Sequence, residues 1–231
     1  MHKNDIKFRS IDGHEIDCYV ATPDGDGKVP AIVLASAIHG VDQDIRDLAD
    51  VFAGKGYIAA APDLFSRSVP GPLKRDDPRS QPRGQPRLEK LKDGEKDMAD
   101  TLAMLRKQPR FNGKAAVIGF CYGGPFAILG PKRLGYAAGV SCHGTQMLDF
   151  VQEIEGMDKK VCVIWGDQDV MAPPPVLEAY RAMAAKRKNL DLNVFPGIQH
   201  GYMMKGAPKV YDQKLYDFSM GKAFSLLEAL R

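Results

Sequence analysis

A cysteine stands where a sharp turn would expose it. Gly119-Phe120-Cys121-Tyr122-Gly123-Gly124 follows the apolar Val117-Ile118 and precedes the helix-compatible Pro125-Phe126-Ala127-Ile128-Leu129. Strand, tight turn and helix in that order are the geometry of a nucleophile elbow, which holds its central residue in a strained backbone conformation. Glycines beside it let strand and helix approach without Cβ clashes. A thiol at the tip points to covalent acyl transfer, since a thiolate is a competent nucleophile.

Such a nucleophile needs a base, and the base needs an orienting acid. His200 follows the strand-like run Leu190 to Phe195, and Asp167 and Asp169 follow the strand-like run Lys160 to Trp165. Asp169 is the preferred acid, because the chain must turn away from its strand before a carboxylate can aim back at a histidine. Asp167 remains the competitor. The order nucleophile, acid, histidine is the one that elbow-bearing hydrolases use. The imidazole and the N-terminus of the helix after the elbow would both favour the thiolate. Two backbone donors are expected at the developing oxyanion: the N–H of Tyr122, just after the nucleophile, and that of Ile38, past the strand ending near Ala35. His39, His143 and Cys142 also lie near strand ends and read as packing or rim residues.

The elements that must position these groups alternate along the chain. Ile6 to Arg9 and His14 to Val20 flank Asp12-Gly13 with period-two alternation, a hairpin signal. Pro30 to Ala35 and Tyr57 to Ala61 are continuous apolar runs of the kind that buried parallel strands need. Ala137 to Cys142 reads as a further strand. Helical spacing runs over 43–53, 88–106, 175–188 and 210–230. The expected fold class is α/β, with a mostly parallel central sheet covered by helices on both faces, as a single domain over 1–231.

Residues 66–87 break this rhythm, because prolines alternate there with Arg67, Arg75, Arg79, Arg83 and Arg87. Such an excursion is either a solvated surface loop or a rim that presents an arginine to an anionic substrate.

Composition excludes several classes of function. The net charge of the 231-residue chain is only +3, which gives no reason to expect a nucleic-acid or membrane partner. No apolar run is long enough to span a bilayer and no leader-like segment opens the chain, so a cytoplasmic protein is expected. The four cysteines form no Cys-x-x-Cys pair, and no spacing implies a metal or organic cofactor. A monomer or small homo-oligomer acting on a small molecule is expected.

Gly119-Phe120-Cys121-Tyr122-Gly123-Gly124, Gly166-x-x-Asp169, His200-Gly201-Tyr202 and the segment from Gly56-Tyr57 to Pro62-Asp63-Leu64-Phe65 together resemble the dienelactone hydrolase family. The resemblance runs along nearly the whole chain. It implies an α/β-hydrolase fold without a separate cap domain and a Cys121-Asp169-His200 triad, with Ile38 and Tyr122 at the oxyanion. It also implies substrate contacts from Arg79 or Arg83 in the long loop and from Tyr202. Two positions depart from the family pattern. Ala37 stands where the family places a glutamate that helps activate the thiol, and Tyr202-Met203-Met204-Lys205 stands where it places an arginine after the histidine.

The thiol narrows the substrate. A thiolate is expelled from a tetrahedral intermediate more readily than an alkoxide, so enol lactones, aryl esters and thioesters, with their stabilised leaving groups, are the expected substrates. A broad carboxylesterase or thioesterase is the alternative within this chemistry. A hydrolase-fold binding protein without catalysis is the alternative outside it.

Overall fold

The computed structural model describes residues 1–231. The hairpin expected across Asp12-Gly13 forms from β1 (His2–Arg9) and β2 (Glu15–Thr22), antiparallel, with Ile6 opposite Cys18. After it come β3 (Val29–Ala35), α1 (Gln43–Gly54), β4 (Ile58–Pro62), α2 (Arg87–Arg106) and β5 (Phe111–Phe120). The second half adds α3 (Phe126–Leu129), β6 (Ala138–Cys142), β7 (Lys160–Gly166), α4 (Pro174–Lys186), β8 (Leu190–Phe195) and α5 (Gln213–Glu228).

The eight strands make one sheet ordered β1-β2-β4-β3-β5-β6-β7-β8. β2 runs antiparallel to β4, and every pairing from β4 to β8 is parallel. Continuous apolar sequence is what a strand buried on both faces requires. On β3, Ala31, Val33 and Ala35 belong to the core cluster that α2 and α4 cover, whereas Ile32 and Leu34 belong to the cluster on the opposite face, with α1 and α5. The helices supply matching stripes. On α1 the buried residues are Ile45, Leu48, Ala49, Phe52 and Ala53, and the Asp42 side chain caps its first turn by accepting from the Ile45 amide at 3.2 Å. Asp212 caps α5 in the same way, from the Leu215 amide at 2.8 Å. No helix is long and apolar enough to cross a membrane.

Three differences from the sequence reading matter for the site. The helix after the elbow has only four α-helical residues and continues as a wide π-type turn over Gly130–Leu134. Cys121 itself lies in a 3-10 turn, Cys121–Gly123, so a long helix dipole does not point at its sulfur. A 3-10 segment, Met147–Ile154, lies where no helix was expected.

The third difference concerns the proline-arginine loop, whose arginines pin it to the body. Arg67 bonds Asp97 at 2.9 Å and Asp12 at 2.8 Å. Arg75 pairs with Asp42 and Asp44. The Leu73 amide donates to the His39 carbonyl at 2.9 Å, and Asp63 accepts from Gly71 at 2.6 Å. The loop is therefore built as a wall beside the carboxyl ends of β3 and β5.

Candidate active site

β5 ends at Phe120, and the chain reverses at Cys121 with φ +51°, a left-handed conformation that few side chains adopt. Two glycines make this possible by close approach. A Cβ on Gly119 would lie 2.1 Å from the Gly123 carbonyl oxygen, and one on Gly123 would lie 2.0 Å from the Ala35 carbonyl oxygen. The second contact seats the elbow against the end of β3, where the Ile38 loop begins. The Cys121 carbonyl accepts from the amides of Gly124 and Thr145, each at 3.0 Å. The sulfur-bearing residue stays partly exposed, whereas Cys18, Cys142 and Cys162 are buried.

The loops after β7 and β8 are laced together, and this brings the acid to the histidine. The Asp167 amide donates to Phe195 at 2.9 Å and the Gln168 amide to Ile198 at 3.1 Å. The Asp167 carboxylate accepts from the Gly197 amide at 2.8 Å, so it closes the β8 turn. Asp169, 2% exposed, accepts from the Met171 amide at 2.8 Å and faces His200 Nδ1, with its two oxygens at 2.9 and 3.0 Å. The structure thus divides the two aspartates between a turn and the imidazole.

Burial opposes charge on His200, but hydrogen bonding to Asp169 and to Cys121 outweighs it, and the imidazole is pushed up to about 10. His143 packs edge-on against this ring, with centroids 4.8 Å apart. Its own ring is buried, and neither nitrogen has a hydrogen-bond partner from another residue. Burial and the His200 charge hold His143 well below the ordinary imidazole value, so it stays neutral beside a charged neighbour.

Cys121, His143 and His200 share a cleft of about 260 Å³. Its wall includes Ala37, Ile38, Cys121, His143 and His200, with Met171 and Met204 as apolar contacts. Arg75, Gln81, Gln85 and Arg87 enter from the loop side, and no aspartate or glutamate lines it. Both histidines read from the sequence as packing or rim residues, His39 and His143, reach this wall. The Ile38 amide, in the turn after β3, faces no backbone acceptor.

The expected substrate contacts lie elsewhere. Arg79 has a 63% exposed side chain and bonds Asp77 outside the cleft. Arg83 is buried under the loop, where it donates to the Ile38, Val69 and Gly71 carbonyls at 3.2, 2.6 and 2.9 Å and lies over the Phe65 ring. Its work is to hold the Ile38 turn. Tyr202 is fully buried, hydrogen-bonded to Ser219 at 3.1 Å and packed edge-on to His143, so it supports the wall from behind. Lys205, in the segment after the histidine, lies over the Tyr216 ring.

The arginine that sequence reasoning missed as a site residue is Arg87, the first residue of α2. Its Nη2 donates to the Tyr122 carbonyl at 3.3 Å, to the Thr145 carbonyl at 3.1 Å and to the Thr145 hydroxyl. It also lies over the Tyr122 ring, 4.8 Å from the centroid. Nothing in the loop's spacing marks it out from the other four arginines. A second hollow, about 270 Å³, lies between the outer hairpin and the Arg46 side of α1. The one thiol there, Cys18, is pushed far up by burial.

Residues 16–230 match the model of the dienelactone hydrolase family. A carboxymethylenebutenolidase of Pseudomonas putida is 28% identical over 173 residues, covering 74% of this chain and 73% of that protein. Carboxymethylenebutenolidase 1 of Cupriavidus pinatubonensis is 24% identical over 234 residues, covering 100% of this chain and 99% of its own. Among solved structures, a dienelactone hydrolase-like promiscuous phosphotriesterase from metagenomic libraries superposes with a TM-score of 0.81 at 19% identity, over 100% of this chain and 99% of the other. A dienelactone hydrolase from Anabaena variabilis superposes with a TM-score of 0.65 at 16% identity, over 95% and 97%. At these identities the structural likeness shows the fold, which is that of the α/β-hydrolases.

Proposed function

The chain belongs to the dienelactone hydrolase family and is a hydrolase of carboxylic esters or lactones, and from that premise we propose that it cleaves activated substrates through an acyl-cysteine on Cys121. The observation that carries this reading is the His200 ring, bonded through Nδ1 to buried Asp169 and lining one cleft with Cys121. A ring pushed up to about 10 keeps its proton at neutral pH, so an imidazolium shares the cleft with the Cys121 sulfur at rest.

In this mechanism the thiolate adds to the carbonyl carbon, and the oxyanion is received by the backbone N–H groups of Ile38 and Tyr122. The bond from the carbonyl carbon to the leaving oxygen or sulfur breaks, and the imidazolium gives its proton to the departing atom. His200, now neutral, takes a proton from the water that adds to the thioester carbonyl. Collapse breaks the C–S bond and returns the electron pair to sulfur, which restores the charged pair and releases the acid. Asp169 holds the ring tautomer throughout.

Enolate, phenolate and thiolate leaving groups suit this chemistry, because they compete with the cysteine sulfur for departure from the tetrahedral intermediate, as a simple alkoxide does not. The cleft lining has arginines and no carboxylate, which favours an anionic substrate or the carboxylate product. The broad carboxylesterase or thioesterase reading draws on Ala37, Met171 and Met204, which make part of the wall neutral and apolar. The four free thiols suit a reducing compartment, and the cytoplasm is the proposed location.

The test is hydrolysis of an anionic enol lactone and of phenyl acetate by the wild-type protein and by Cys121→Ala. The variant should lose both activities by at least roughly a thousandfold. Wild-type rates in the variant would overturn the acyl-cysteine, and a preference for the neutral ester would select the broader esterase.

A further inference from the structure

Four of the five arginines in the long loop have an aspartate within ion-pair reach: Arg67 with Asp97, Arg75 with Asp44, Arg79 with Asp77 and Arg83 with Asp63. Arg87 has none, and its three hydrogen bonds all go to Tyr122 and Thr145. Its Nε is buried without a partner. A guanidinium left without a counter-ion beside a nucleophile invites the question of what anion it serves.

The hydrogen bonds around Cys121 answer it. The Thr145 amide donates to the Cys121 carbonyl at 3.0 Å. That carbonyl and the Tyr122 N–H belong to one planar peptide and point in opposite directions, so fixing the carbonyl fixes the donor meant for the oxyanion. Arg87 grips both sides of this arrangement, through Thr145 and through the Tyr122 carbonyl. We infer that Arg87 is the positioning residue of the elbow: it locks the Cys121–Tyr122 peptide in its strained orientation and lends positive charge to the Cys121 thiolate.

This assignment rests on the acyl-cysteine reading and accounts for two features of the chain. The helix after the elbow is too short to supply a strong dipole, and Ala37 offers no carboxylate to the thiol. A fixed cation at the start of α2 replaces neither but lines the same cleft as that sulfur. Burial lowers the guanidinium's basicity while Cys121 works to raise it, the sign expected of a desolvated cation near a potential anion. Arg87 also ties the last residue of the loop to the nucleophile, so the loop and the elbow form one unit.

The experiment must separate positioning from substrate anchoring, and neutral reagents do so. Arg87→Met and Arg87→Lys are compared with the wild-type protein for Cys121 alkylation by iodoacetamide across pH and for hydrolysis of phenyl acetate. Positioning predicts that Arg87→Met alkylates roughly tenfold slower at neutral pH, with its pH midpoint moved upward, and loses kcat on the neutral ester by a similar factor. Arg87→Lys should keep the midpoint near the wild-type value and lose kcat, because it retains charge without the fork. Millimolar guanidinium should restore part of the rate to Arg87→Ala. Wild-type alkylation and kcat in Arg87→Met, with losses confined to KM for anionic esters, would make Arg87 a substrate anchor and overturn the inference. A loss that guanidinium does not rescue, accompanied by a lowered melting temperature, would reduce it to packing and overturn it equally. Wild-type activity in Cys121→Ala would instead remove the reading beneath it.

Discussion

Cys121 follows the last residue of β5 and Cys142 is the last residue of the neighbouring β6, with Phe120 and Cys142 in register across the pair. One thiol turns into the cleft beside His200 and Arg87; the other continues its strand into the core. Burial pushes Cys142 up to about 12, and hydrogen bonds with Tyr202 and Ser219 only partly offset it. The two residues share a side chain and lie at the carboxyl ends of paired strands, so the difference begins in the backbone. A left-handed turn, made possible by the close approaches at Gly119 and Gly123, lifts one sulfur out of the sheet and leaves the other within it.

The largest test of this contrast removes the group that makes the Cys121 side chemically special. Asp169→Asn should lower kcat by roughly a thousandfold or more, since the amide cannot hold the imidazolium or its tautomer. It should also move the alkaline limb of phenyl acetate hydrolysis, set near 10 by His200 in the wild-type protein, to lower pH. The same linkage appears in stability. Because the folded value of His200 is raised from 6.5 to about 10, its contribution is full below about 6.5 and is lost as pH rises toward 10. Melting temperatures across that window should fall more steeply in the wild-type protein than in Asp169→Asn; parallel curves would break the argument.

The smallest effect belongs to the other thiol. Cys142→Ala should cost about 1 kcal/mol through lost packing in the core and leave kcat within about twofold of the wild-type value. A large loss of activity with unchanged melting would mean that Cys142 has a share in the chemistry.

The sequence made some of this legible and hid the rest for identifiable reasons. Apolar runs at 30–35 and 57–61 marked buried strands because both of their faces are covered, and the boundaries fell within a few residues of β3 and β4. Gly-x-Cys-x-Gly-Gly was readable because its glycines answer a local steric demand. Asp169 could be preferred over Asp167 from spacing, and the structure gives each a separate partner. Arg87 was hidden because five arginines share one irregular loop, and tertiary packing alone decides that Arg79 faces solvent, Arg83 the loop floor and Arg87 the elbow. The shortness of α3 was hidden as well: its apolar sequence fits a helix, but Pro131 and Gly135 bring it to an end through a π-type turn.

The most direct measurement follows the acyl group itself. The protein is mixed with phenyl acetate, quenched in acid within the first turnover, digested under acidic conditions and analysed by mass spectrometry. One acetyl group is expected on the peptide bearing Cys121, none on that bearing Cys142, and no adduct in Cys121→Ala. Turnover with no acetyl group on Cys121, or with the label on another residue, would contradict the acyl-cysteine reading.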